Sequence, residues 1–221
     1  MMKKLFLVTA FMLSQFSVFA QGEVGSFNVQ PKVGLNVSHF TGSDCKSPRF
    51  GLVAGLEWEY QFAERTSFSF GLLISMEGGK TGYGALLLDN MQNKNIVGLA
   101  EGDIFIKTNY LQVPIMTSFY PIKRLAIKWG FQVGVNLNSN YKLDAIATDG
   151  ETFIGVKSDG KMSDLGIETK SFAFSIPVGL SYEYKNFVVE GRYNFDITRH
   201  FKYQPVWNNV FQFTVGMKIG R

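Results

Sequence analysis

Residues 171–195 read SFAFSIPVGLSYEYKNFVVEGRYNF. Phe172, Phe174, Ile176, Val178, Leu180, Tyr182 and Tyr184 occupy every second position, with Ala173, Ser175, Pro177, Gly179, Ser181 and Glu183 between them. A period of two marks a β-strand with one apolar face and one small or polar face. Lys185 and Asn186 then make a tight turn, Asn being tolerant of positive φ. The alternation resumes with Phe187, Val189, Gly191, Tyr193 and Phe195 against Val188, Glu190, Arg192 and Asn194. The stretch is a β-hairpin.

The same pattern recurs on both sides of it. Strands are predicted over 27–39, 50–62, 67–76, 107–119, 125–137 and 211–219. The apolar face of the fourth runs Leu111, Val113, Ile115, Thr117 and Phe119. Extended backwards, that face takes in Asn109 and Lys107, so either the strand leaves the apolar layer there or a bulge changes its register. Turns at 62–66, 121–124 and 185–186 are short. The segments 78–103, 140–170 and 198–207 are expected as longer loops, and 40–48 as a connection of intermediate length. Gly55-Leu56-Glu57-Trp58-Glu59-Tyr60 aligns with Gly179-Leu180-Ser181-Tyr182-Glu183-Tyr184, and Val113-Pro114-Ile115 with Ile176-Pro177-Val178. This suggests one repeated hairpin unit. The expected fold is all-β: an eight-stranded antiparallel up-and-down barrel.

Composition decides what surrounds such a barrel. Aromatics are 15% of the 221 residues, 21 of them Phe, and charged residues are only 18%. After residue 20 no apolar run approaches the roughly 20 residues of a spanning helix. A soluble barrel with an apolar interior would show Lys, Glu and Thr on its water-exposed face. Here the non-apolar face is mostly Gly, Ser and Ala, as expected where side chains crowd inside a narrow cylinder. The apolar face therefore points outward into lipid, in a transmembrane barrel. Short turns alternating with longer loops match the periplasmic and extracellular connections of outer-membrane barrels. Aromatics near the strand ends are expected as two girdles. One holds Tyr60, Phe62, Phe68, Phe119, Tyr182, Tyr184 and Phe187; the other holds Phe50, Phe105, Phe172, Phe195 and Trp207.

Residues 1–20 read as a cleaved signal peptide: Lys3 and Lys4, an apolar stretch to Phe19, and small residues at Val18 and Ala20 before Gln21. The barrel domain is then 21–221, in the outer membrane after Sec export. Both leader lysines leave with the peptide and no acid does, so the formal +4 charge drops and gives no reason to invoke nucleic acid. Cys45 is the only cysteine, which excludes an intramolecular disulfide and suits a loop position.

Inward-facing charges fall together in the half of the barrel nearer the short turns: Lys32, Glu57, Glu59, Lys128, Glu190 and Arg192, with Glu183 and Lys218 near the exit. Unpaired they would be costly, so they are expected to pair as an ionic network filling the lower lumen. The alternative use of such a network is a narrow gated path for small solutes. His39 and His200 are both expected at the extracellular end but lack a carboxylate or thiol partner, a poor metal set. Neither has a serine placed for acyl transfer, so no enzyme and no cofactor are expected. Pro114 and Pro177 sit mid-strand, where bulges or missing ladder bonds are expected. Lys107 falls on the lipid side near the outer rim, to snorkel or to meet a lipopolysaccharide phosphate.

The export signal, Val113-Pro114-Ile115, Ile176-Pro177-Val178 and Glu190-Gly191-Arg192-Tyr193-Asn194 together resemble the small outer-membrane barrel proteins of Bacteroidota, PorT-like or porin-like. The resemblance covers the mature chain. It implies the barrel fold, the outer membrane of a Gram-negative envelope, contact with its lipid and lipopolysaccharide, and a role as an accessory factor for secretion or envelope assembly. Contact with another envelope protein through the long loops would go with that role. One position departs from the family's pattern: Gln112 stands where the family usually has a carboxylate. Many outer-membrane barrels also end in an aromatic residue read during assembly, where this sequence has Ile219-Gly220-Arg221.

Overall fold

The computed structural model describes residues 23–41, 45–82, 99–148, 153–165, 169–199 and 206–220. Its strands are β1 (Phe27–Thr41), β2 (Cys45–Ala63), β3 (Thr66–Gly82), β4 (Leu99–Ile122), β5 (Leu125–Thr148), β6 (Phe153–Lys161), β7 (Phe172–Tyr184), β8 (Phe187–Asp196), β9 (Trp207–Met217) and β10 (Ile219–Gly220). The order is β10-β1-β2-β3-β4-β5-β7-β8-β9, and β1 also pairs β9, so the sheet closes on itself. Strands β9 and β10 are one stave. Val29 pairs Ile219 and Lys32 pairs Gly216 in a single register. Counted this way, eight antiparallel staves make the barrel, and β6 stands off the ring, paired to the upper part of β5.

Alternation dictates which face each side chain takes. Val33, Leu35, Leu56, Trp129, Val178, Leu180 and Phe213 are exposed on the outside, while Lys32, Glu57, Lys128, Ser181, Glu190 and Gln212 are buried inside. Leu180 is 55% exposed and its neighbour Ser181 4%. A continuous apolar exterior around a polar interior is the reverse of a water-soluble barrel. No helix among the described residues is long and apolar enough to cross a membrane.

The prolines act through the donor they lack. Pro114 pairs Gln132 of β5, but on its other side the β3–β4 ladder lapses between Phe70↔Ile115 and Leu73↔Gln112. Pro177 pairs Asn194 of β8, and the β5–β7 ladder lapses between Trp129↔Val178 and Gln132↔Ser175. Both ladders resume in the same register, so the prolines remove hydrogen bonds without forming bulges. Pro31 does the same at the barrel's seam and divides β9 from β10.

Several expectations are corrected at the long-loop end. The segment 78–103 is strand at both ends, since β3 runs to Gly82 and β4 starts at Leu99. The segment 140–170 contains the top of β5, all of β6 and a 3₁₀ turn at Met162–Leu165. The connection 40–48 is mostly strand, and Cys45 opens β2 rather than lying in a loop. Trp207 starts the last stave instead of ending a loop. Strand β4 keeps its alternation from Ile104 to Tyr120, so Lys107 and Asn109 lie outside because the strand leaves the apolar layer. The register shift beside Asn109 lies opposite, in β5: Asn109 pairs Asn138 while Tyr110 pairs Asn136, which leaves Leu137 as the extra residue. The expected signal peptide at 1–20 and His200 lie outside the described residues.

Two of the short turns are tighter than expected, with two residues each at 64–65 and 123–124, and the third is the two residues 185–186 as read from the sequence. In the last, positive φ falls on Lys185 (54°) and not on Asn186; Arg124 has φ 73°. A non-Gly residue in that region costs about 1–2 kcal/mol, and glycine recovers most of it less its own entropy. Lys185→Gly is therefore expected to stabilise the barrel by about 0.5–1 kcal/mol, read as a raised urea midpoint in reconstituted vesicles. A lowered midpoint would contradict this account of the turn.

Candidate functional site

The lumen is the chemically distinctive part of the chain, and alternation on all eight staves builds it. Lys32 comes from β1, Glu57 from β2, Lys128 from β5, and Glu190 and Arg192 from β8. Lys32 Nζ lies 3.0 Å from Glu57 Oε2 and 2.7 Å from Glu190 Oε2. Lys128 Nζ lies 2.5 Å from Glu57 Oε1 and 3.1 Å from Glu190 Oε2. The Arg192 Nη2 donates to Glu57 Oε2 at 3.0 Å, and Nε to Glu190 Oε1 at 2.7 Å. Three cations thus share two carboxylates, all five side chains within 3% of full burial.

Glu59 is not part of this ring. It belongs to a second layer nearer the short turns, with Glu183, Lys218 and Tyr120. Lys218 Nζ lies 3.1 Å from Glu59 Oε2 and 2.7 Å from Glu183 Oε1. The Tyr120 hydroxyl bridges Glu59 Oε1 at 2.8 Å and Glu183 Oε1 at 2.7 Å, and Ser67 Oγ donates to Glu59 Oε1 at 2.6 Å. Gln30 Nε2 also donates to Glu59. Here two carboxylates share one ammonium. Taken together, the two layers hold Lys32, Lys128, Arg192 and Lys218 against Glu57, Glu59, Glu183 and Glu190, four charges of each sign.

A third polar cluster lies toward the long-loop end, around Glu77. Its carboxylate accepts from Ser75 Oγ at 2.6 Å, Gln112 Nε2 at 2.5 Å and Asn208 Nδ2 at 2.7 Å. Gln112 Oε1 in turn accepts from Gln212 Nε2 at 3.0 Å. Sequence reasoning missed Glu77 by ending the third strand at Met76, although the inward series Ser67, Ser69, Gly71, Leu73, Ser75 leads straight to it. It missed Tyr120 as well, an inward aromatic on the phase of Gln112, Met116 and Ser118.

A family model described as outer membrane protein beta-barrel domain matches residues 19–202. The chain belongs to that family. This outer-membrane barrel crosses the bilayer with its strands, and by the habit of such barrels its short turns face the periplasm. No curated protein sequence matches it. Solved structures similar to it include Neisserial surface protein A, at 11% identity and TM-score 0.48 over 87% of this chain and 97% of that one. Ail, the attachment invasion locus protein of Yersinia pestis, in complex with the heparin analogue sucrose octasulfate, is 13% identical, at TM-score 0.46 over 89% and 99%. OprG from Pseudomonas aeruginosa is 11% identical, at TM-score 0.43 over 90% and 97%.

On the outside of the outer-membrane barrel, Tyr60, Phe62, Phe68, Phe119, Tyr182, Tyr184 and Phe187 are all exposed near the short turns, and Phe50, Phe172 and Phe195 are exposed at the other end. Trp207 is half-buried. Phe105 stands apart: on β4 it is separated from Leu111 and the apolar residues below by Lys107 and Asn109. His39 is half-buried on the outer face of β1. Among the described residues no three of His, Cys, Asp and Glu come together as a metal-ligand set.

Proposed function

We propose that this is a non-enzymatic barrel with a closed lumen, acting through its surface at the extracellular end as a structural or interaction element. The observation that carries the reading is the charge balance of the two ion-pair layers: Lys32, Lys128, Arg192 and the part-exposed Lys218 matched by four carboxylates, tied across β1, β2, β5, β7, β8 and the last stave. A network closed on itself leaves no row of like charge for a permeating ion to follow, and breaking it to admit one would strand buried charge. The two sets of exposed aromatics act as interfacial girdles in this reading, and export removes residues 1–20.

Single-channel recording on the purified protein in planar bilayers tests the closed lumen. Wild-type protein is expected to give no steady conductance. A steady current that changes with Arg192→Ala would replace the plug by a narrow solute path.

The β5–β6 hairpin favours an accessory role in secretion or envelope assembly, in the manner of PorT-like proteins. It extends the barrel wall beyond β7 on a ladder running from Asn140↔Lys161 to Thr148↔Phe153, a firm platform for another envelope protein. Gentle extraction from native membranes is expected to bring down a stoichiometric partner that deletion of 140–165 releases. Recovery of the barrel alone would count against this role.

A further inference from the structure

Above the two ion-pair layers the lumen changes character. Glu77 of β3 is buried there and Asp196, inward on β8, is half-buried. Asn208 ties the two acids together: its Nδ2 donates to Glu77 Oε2 at 2.7 Å and its main-chain N–H to Asp196 Oδ2 at 3.4 Å. Among the described residues neither carboxylate forms an ion pair. Arg49 reaches the cluster, but it donates to the main-chain oxygen of Glu77. Two carboxylates thus stand beside one guanidinium that pairs with neither.

Glu77 also decides which way the surrounding carboxamides point. An amide that meets a carboxylate must present its NH2 and turn its oxygen elsewhere. Asn208 does so, and its Oδ1 has no hydrogen-bond partner among the described residues. Gln112 gives Nε2 to Glu77 and takes Gln212 Nε2 on its own oxygen, which leaves Gln212 Oε1 unpartnered at the end of the relay. Ser75 donates to Glu77 and accepts from Asn36 Nδ2, which leaves Asn36 Oδ1 in the same state. Asn194, next to Asp196 in the inward series of β8, pairs Val210, which lies between Gln212 and Asn208 in the inward series of the last stave. Both ends of the Asn194 amide are unpartnered. Asn194 is 2% exposed and Asn208 4%. Buried polar atoms are seldom left unmet, and here acceptors gather around uncompensated negative charge. Arg192 Nη1 is unmet as well, but that guanidinium is held by Glu57 and Glu190 in the layer below.

We propose that Glu77, Asp196 and the carboxamide oxygens of Asn194 and Asn208 bind one calcium ion, with water completing its shell. Calcium takes six to eight oxygen ligands in flexible geometry, from carboxylates, Asn carbonyls and water, whereas magnesium demands a near-ideal octahedron. Two carboxylates match a divalent charge. The cluster lies on the extracellular side of both ion-pair layers, so a cation from the medium meets it first. The bound ion joins β3, β8 and the last stave by a tie separate from the ion pairs below, whether or not those pairs close the lumen to solutes.

Isothermal titration calorimetry of the purified, delipidated and EDTA-washed barrel with calcium chloride tests this. One ion per chain is expected, with a dissociation constant of roughly 10⁻⁴–10⁻³ M, the range of extracellular calcium sites. Asp196→Asn and Glu77→Gln keep shape and remove charge, and each should weaken binding by about tenfold or more. Asn194→Ala removes an amide that holds no hydrogen bond among the described residues, so it leaves the fold intact and should weaken calcium a few-fold. Asp144→Ala, on the outer face, should change nothing. Heat-modifiable gel mobility confirms that each variant is folded. Absence of saturable binding up to about 10 mM calcium overturns the proposal. So does binding that Asn194→Ala and Asp196→Asn leave unaltered, which would place the ion on surface carboxylates, or equal affinity for magnesium, which would make the cluster a general acidic patch.

Discussion

Glu190→Ala is expected to lower the unfolding free energy of the barrel by about 3–5 kcal/mol. Glu190 accepts from Lys32 at 2.7 Å, Lys128 at 3.1 Å and Arg192 Nε at 2.7 Å. Without it, three buried cations are left with Glu57 alone. The charges stay buried because the strands that carry them are fixed by pairing around the ring, so the loss is not relieved by exposure to solvent. Asp144 is the internal control. Its pair with Lys157 is exposed on both sides, and Asp144→Ala should cost no more than about 1 kcal/mol. Urea unfolding in vesicles, followed by tryptophan fluorescence, compares the two directly. Similar small losses at Glu190 and Asp144 would mean that the lumen is solvated and its ion pairs count for little.

The second large effect tests the outside. Val178 is the middle residue of β7, 42% exposed, with Trp129 and Tyr193 beside it on the neighbouring strands. Val178→Arg puts a guanidinium at the centre of the lipid-facing surface and is expected to cost about 2–4 kcal/mol, whereas Tyr184→Arg at the end of the same strand should cost about 0–1 kcal/mol. The depth dependence is what a bilayer imposes, since only its centre lacks water. Equal costs at both positions would remove the lipid from this face.

The barrel was legible because the membrane enforces a single rule along each strand. Between about 50 and 62, or 172 and 184, lipid on one side and a packed lumen on the other leave no choice of phase, and alternation is unbroken. Above the bilayer the sense of the alternation reverses: Lys107, Lys142 and Asp144 face outward, while Ile104, Ile106, Tyr141 and Leu143 are buried inside. The stretch NSNYKLDAIAT therefore lacks the outward apolar face that marks the strands below it, and it reads as loop although the strand continues. The β5 bulge at Leu137 falls where the two regimes meet, and the disturbance surfaced in sequence as an ambiguity in its partner, β4.

Inward charges were readable residue by residue, but not their grouping. Glu57 and Glu59 are two apart on one strand, yet they bind different cations in different layers. Which ammonium each meets depends on the stagger of six staves. The small lining also has a second cause. At Gly216 an added Cβ would meet the Lys32 side chain at 2.7 Å, which is crowding as expected. At Gly130 it would run into the main-chain oxygen of Ile115 on the adjacent strand. That glycine serves the tight coiling of the sheet, which no single strand's sequence displays.

Closure of a sheet into a ring removes unpaired strand borders, with one exception among the described residues: β6, which pairs with β5 alone. Such a border invites self-association between neighbouring molecules in a crowded leaflet. Lys157, Asp159 and Lys161 alternate in charge along it, and two copies meeting there in antiparallel fashion about Asp159 would set that carboxylate against itself. The barrel can thus project a long flat hairpin into the medium without the hairpin becoming a template for aggregation.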